Sequence, residues 1–171
     1  FYPKRLQAEV LLDSIDQLTG VPTTFANLPP GTRAISLPDN SYNRASPLLV
    51  VFGRPENTSV CECERVQGSS LAQSLHMLNS DEIKNKVSHD SGRAATLMKA
   101  MKSDEENILE LYLRAYSRQP SPEELRFALD YLSGPVLGND GKPIDESNAR
   151  RRNLEDFVWA LMNTKEFLFN H

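Results

Sequence analysis

SDEENILELYLRAYSRQPSPEELRFALDYLSG, residues 103–134, is the stretch whose reading decides the fold. Twice within it a serine precedes a glutamate by three positions, Ser103 before Glu106 and Ser121 before Glu124. Each pair opens a run of apolar residues at helical spacing. A serine at the N-cap accepts the third amide while glutamate there reaches back, so both pairs read as capping boxes. Pro122 falls at the first helical position, where its missing N–H leaves nothing unsatisfied. Ile108, Leu111, Tyr112 and Ala115 mark the inner face of the first helix. Leu125, Ala128, Leu129 and Leu132 mark that of the second, which stops at Gly134-Pro135. A link as short as Arg118-Gln119-Pro120 makes the two an antiparallel pair.

The same signals extend outward from this pair. Downstream, Gly138-Asn139-Asp140-Gly141-Lys142-Pro143 reads as a polar turn without the spaced ligands and closing glutamate of a calcium loop. A last helix is expected from about Ala149 to Phe167, with Leu154, Phe157, Val158, Leu161 and Met162 inside. Trp159 on it reads as a core or domain-interface residue. Upstream, Arg93 to about Lys102 forms a helix with Ala94, Leu97, Met98 and Met101 on one face. Ser80-Asp81-Glu82 opens a short helix to Val87, acids first. Ser70 to Gln73 fits a further capping box, with Leu71, Leu75 and Leu78 as the expected inner face. Residues 3–19 form the first helix, with Pro3 at its start, Ala8, Leu11, Leu12, Ile15 and Leu18 inside, and Gly20 and Pro22 as its stop. Glu9, Asp13 and Asp16 on that helix form an acidic stripe, read as a solvated or arginine-paired face rather than a metal face.

Residues 21–68 break the pattern. A connection this long inside a compact domain is usually functional or disordered. Leu48-Leu49-Val50-Val51-Phe52 is too apolar to stay in water, whether extended or as a helical turn, and Ala34 to Pro38 is a weaker extended candidate. We therefore expect an ordered Pro-rich loop anchored by these two segments. The fold class is all-α: about six helices around one core, in a single helical domain over 1–171, with residues 21–68 packed across them.

Composition excludes several function classes. The chain of 171 residues is 39% hydrophobic and 25% charged, with a formal net charge of -4. That length suits one domain with a real core. The charge argues against a broad nucleic-acid surface. Arg150-Arg151-Arg152, flanked by Asp145, Glu146, Glu155 and Asp156, reads as a helix start with local ion pairs. No apolar run is long enough to span a bilayer, so no membrane insertion by this segment is expected. Phe1-Tyr2-Pro3-Lys4-Arg5 carries neither an initiator Met nor a signal-peptide core, so we expect a piece of a longer protein.

Catalytic chemistry finds no foothold. Nucleophile motifs and Gly-rich phosphate loops are missing, haem attachment would require Cys-x-x-Cys-His, and no cofactor, metal site or catalytic residue is expected. The sharpest feature is the pair Cys61 and Cys63. It is open to three readings: a strained, easily reduced disulfide, two ligands of a soft metal, or two buried structural thiols. Arg54, Glu62, Glu64 and Arg65 around it read as a structural ion-pair network, because neighbouring arginines keep carboxylates ionised rather than fit for acid–base work. His76 reads as a structural histidine. Asn57-Thr58-Ser59 meets the glycosylation pattern.

Several blocks together resemble a known family: Arg5 to Asp13, Phe52-Gly53-Arg54-Pro55, Cys61-Glu62-Cys63-Glu64-Arg65, Leu75-His76-Met77-Leu78-Asn79, Leu111 to Ala115, and Trp159 to Phe167. They resemble the planctomycete-type domain family of unknown function that closes large proteins carrying a planctomycete cytochrome c domain at the other end. The resemblance implies a C-terminal portion of a longer multidomain, extracytoplasmic protein, periplasmic or secreted. It implies company with haem electron transfer or polysaccharide breakdown, and no catalytic residue. An oxidising compartment would favour the disulfide reading of Cys61 and Cys63. The expectation that follows is a non-enzymatic module docking on neighbouring domains of its own protein. The alternatives are a redox or electron-transfer accessory using the cysteine pair, and an accessory domain in polysaccharide breakdown with Trp159 and the tyrosines as stacking platforms.

Overall fold

The structure is a computed structural model that describes residues 4–55, 71–100, 102–138 and 140–170. It is all-α, as the periodicity predicts. The described residues form nine α-helices: α1 (Ala8–Thr19), α2 (Pro47–Val51), α3 (Leu71–Asn79), α4 (Asp81–Val87), α5 (Arg93–Lys99), α6 (Asp104–Tyr116), α7 (Pro122–Ser133), α8 (Glu146–Met162) and α9 (Lys165–Leu168). Two short strands, β1 (Lys4–Arg5) and β2 (Phe169–Asn170), pair antiparallel with Lys4 opposite Asn170.

Helix α1 is the hub. Leu11, Leu12, Ile15 and Leu18 have no exposed surface, and the helix packs on α2, α4, α5, α6 and α8. It ends where Gly20 takes a left-handed φ of 72° and donates its N–H to the Asp16 carbonyl, a conformation that costs a residue with a Cβ. Its start corrects the sequence reading, which began the helix at residue 3. Lys4 and Arg5 instead belong to β1, and the Leu6 N–H donates to the Leu168 carbonyl at 3.0 Å. The far end of the chain claims this backbone, and local periodicity carries no trace of that.

Helices α6 and α7 form as their capping boxes dictate. Ser103 and Ser121 each accept the N3 amide at 3.2 Å, and Glu106 and Glu124 return the bond at 2.9 and 2.7 Å. The two helices pack on each other, burying Ile108, Leu111, Tyr112, Ala128 and Leu132.

The expected last helix is two. Asp145 caps α8 by accepting the Asn148 N–H at 3.0 Å, so the helix starts ahead of Ala149. Thr164 then breaks the run by capping α9, accepting the Phe167 N–H at 3.2 Å. Such side-chain caps compete with helix continuation.

The described part of the long connection, residues 21–55, is ordered. Leu48, Leu49 and Phe52 are buried through the helical turn α2. Ala34–Ser36 is a 3-10 turn, not the extended segment expected, because the Asp13 carboxylate gathers two successive amides there. Helix α3 departs most from expectation. Its leucines Leu71, Leu75 and Leu78 are exposed, while Gln73 and Met77, one turn apart, face inward. Gln73 is drawn in by polar partners: its amide donates to the Val51 carbonyl at 3.0 Å and its oxygen accepts from Arg5. Ser70, the proposed cap, and Met101 lie outside the described residues. One hydrophobic cluster joins residues from α1 to α9, and among the described residues no helix is long and apolar enough to cross a membrane.

Candidate functional site

The sequence-flagged residues divide sharply. Cys61, Cys63, Glu62, Glu64 and Arg65 lie outside the described residues, as does Asn57-Thr58-Ser59. Arg54 is buried and ion-paired. Its Nε lies 3.2 Å from Glu9, one Nη donates to the Asn43 side chain at 3.0 Å, and the other to the Asp39 carbonyl at 3.1 Å.

Glu9 belongs to the acidic stripe of α1, and the whole stripe behaves alike. Asp13 accepts the Ala34 and Ile35 amides at 2.6 and 3.2 Å and faces Arg33 at 3.3 Å. Asp16 meets Lys86 at 2.6 Å and accepts from the Thr23 N–H at 2.6 Å. The stripe is paired, as one of the two expected forms had it, but Glu9 and Asp13 are buried rather than solvated. Three carboxylates one turn apart each hold a different part of residues 21–55 against α1. Among the described residues no group of three or more His, Cys, Asp or Glu is placed to hold a metal ion. His76 sits edge-on to the Phe52 ring at 6.4 Å, with a buried Nε2 that has no hydrogen-bond partner among the described residues. Burial pushes its pKa down, against the upward pull of Glu82. The Arg150-Arg151-Arg152 run also forms ion pairs: Arg150 with Asp104, and Arg151 with both Glu155 and Asp90.

The feature best shaped to receive something is a groove of about 790 Å³ between α7 and α8. Helix α7 lines it with Phe127 and Tyr131, one turn apart, together with Glu124, Ala128 and Asp130. Helix α8 contributes Asp156 and Ala160, also one turn apart, with Phe157 and Trp159, and α6 supplies Tyr112. The small side chains of Ala128 and Ala160 leave the space that the rings surround. Phe127 is 66% exposed and Tyr131 47%. The Tyr131 hydroxyl donates to Asp156 at 3.4 Å, tying the two walls together, and burial raises its pKa with help from that carboxylate.

Beside the groove, on its lining residues Tyr112 and Glu124, the chain has placed a cation of its own. The Arg118 guanidinium lies 5.5 Å from the Tyr112 ring centre and 5.4 Å from that of Tyr116. It binds Glu124 through two bonds of 2.8 Å, and Glu166 through bonds of 2.7 and 2.8 Å. Arginine suits such a seat, because its planar fork bonds carboxylates in pairs while its face lies on aromatic rings. These bonds, with the Ser121 amide, hold the Glu124 carboxyl down at about 2. Burial pushes the Tyr116 hydroxyl up to about 12 as it donates to the Leu161 carbonyl at 3.2 Å.

Sequence reading noted Trp159 and the tyrosines as stacking platforms, but not the groove. Phe127, Tyr131 and Asp130 gave one signal: apolar and acidic residues at helical spacing on the face of α7 away from the inner one.

No curated protein and no solved structure matches the chain. A family model described as "Protein of unknown function (DUF1553)" matches residues 1–132, all of the helices α1 to α6 and nearly all of α7. The chain belongs to that family.

Proposed function

We propose that this chain is a non-enzymatic docking module, which seats part of a neighbouring domain of the same multidomain, extracytoplasmic protein in the α7–α8 groove. The observation that carries this reading is the exposure of Phe127 and Tyr131 at the mouth of an open, ring-lined groove. Clustered exposed apolar side chains mark sites where a surface is covered by something else. The test uses the full-length polypeptide with a protease site introduced ahead of this segment. After cleavage the two parts are expected to co-elute on gel filtration, and Phe127→Ser with Tyr131→Ser to separate them. Wild-type parts that separate at once would overturn the reading.

A second reading, an accessory domain in polysaccharide breakdown, draws on Trp159, Tyr131 and the carboxylate of Asp156 sharing one groove. Sugars stack on such rings and bond such carboxylates. A saturable shift of Trp159 fluorescence with a neutral oligosaccharide such as cellohexaose is its expected signature. The redox reading rests on Cys61 and Cys63 beside a cytochrome c domain, and no contact described above bears on it. The intact mass of the native protein before and after reduction and alkylation decides whether the pair is bridged.

A further inference from the structure

We propose that the segment received by the α7–α8 groove is apolar and carries an arginine, whose guanidinium binds Asp156 against the rings of Tyr131 and Trp159. This inference rests on the docking reading above and names the chemistry of the partner. The chain supplies its own precedent beside the same groove, where Arg118 lies over Tyr112 and is clamped by Glu124, both of which line it. The walls of the groove repeat those parts. An aromatic ring, Tyr131, stands hydrogen-bonded to a carboxylate, Asp156, with the indole of Trp159 one turn along α8.

What differs is the cation. Glu124 is paired with Arg118, whereas among the described residues neither Asp130 nor Asp156 makes an ion pair and no Lys or Arg lines the groove. Arg126 lies over the Phe127 ring at 5.5 Å, and among the described residues no cation lies over Tyr131 or Trp159. The part of the groove around Tyr131, Asp156 and Trp159 is thus an anionic, ring-lined seat, complementary to a positive and apolar occupant. Arginine fits it better than lysine, because a planar fork can bond the Asp156 carboxylate in two places and lie flat on a ring, which a point charge cannot do. Asp130, on the opposite wall, is placed to meet a second positive residue along the same segment.

Trp159 is the only tryptophan in the chain, so its fluorescence reports groove occupancy directly. The probes are three capped peptides of alternating sequence, leucine with arginine, leucine with glutamine and leucine with glutamate. The arginine peptide is expected to shift the emission saturably, to weaken as salt is raised, and to bind about tenfold less tightly to Asp156→Asn. Asp156 is exposed, so that variant should fold, and an unchanged circular dichroism spectrum checks it. Equal binding of the glutamine and arginine peptides, or an unaltered affinity in Asp156→Asn, would overturn the arginine assignment while leaving a docking groove. Failure of all three peptides to move the emission would overturn both readings.

Discussion

Asp13 shows how much one side chain can organise. Its carboxylate satisfies the amides of Ala34 and Ile35, twenty-one and twenty-two positions away, from inside the core. Removing it leaves the buried Ala34 amide without its partner, so Asp13→Ala is expected to lower stability by about 1–3 kcal/mol. Urea unfolding measures this, and an unchanged midpoint would show that the turn over Ala34–Ser36 holds without it. Asn107 poses the opposite case. It has no exposed surface, and neither its amide nitrogen nor its oxygen has a partner among the described residues. A desolvated, unbonded amide works against folding, so Asn107→Leu, close in size, is expected to raise stability by about 1–3 kcal/mol. A lowered thermal midpoint would contradict that. The sequence placed Asp13 on a stripe with Glu9 and Asp16, read as either solvated or arginine-paired. It could not foresee burial, because the partners lie on a connection whose path no periodicity describes.

Among the elements, Arg118 works as a rivet. It leaves the turn between α6 and α7 and holds Glu124 at the start of α7 and Glu166 in α9. The sign of its pH dependence follows from Glu124. A carboxyl whose folded pKa is depressed stabilises fully above its unfolded value, and loses that contribution as pH falls through the folded one. The stabilisation is therefore present above about 4.5, the ordinary value, and fades towards about 2. Acid unfolding of Glu124→Gln should show a flatter limb across that window than the wild type. Identical limbs would place the acid sensitivity elsewhere. Helices whose signals are local were the legible ones: the boxes at Ser103 and Ser121 and the stop at Gly20 stand where they were read. The illegible ones answer to distant partners. Leu71, Leu75 and Leu78 made the obvious inner face of α3, yet Gln73, donating to the Val51 carbonyl and accepting from Arg5, turned the helix the other way.

At the scale of the molecule, the family match and the core do not share a boundary. The match ends at residue 132, but Leu154, Val158, Leu161, Met162 and Phe167 lie in the same hydrophobic cluster as α1. The groove depends on that continuation, since one of its walls is α8. This is also why it escaped sequence reading. Phe127 and Tyr131 look like surplus apolar residues on α7 until the Asp156 face of another helix stands opposite them. The short ladder of β1 with β2 has a different consequence. Because Arg5 pairs with Phe169 and Lys4 with Asn170, the backbone enters and leaves this fold side by side and in opposite directions. A unit with that topology can be spliced into a surface turn of another protein without prising the turn apart, or rewired as a circular permutant by bridging its two ends.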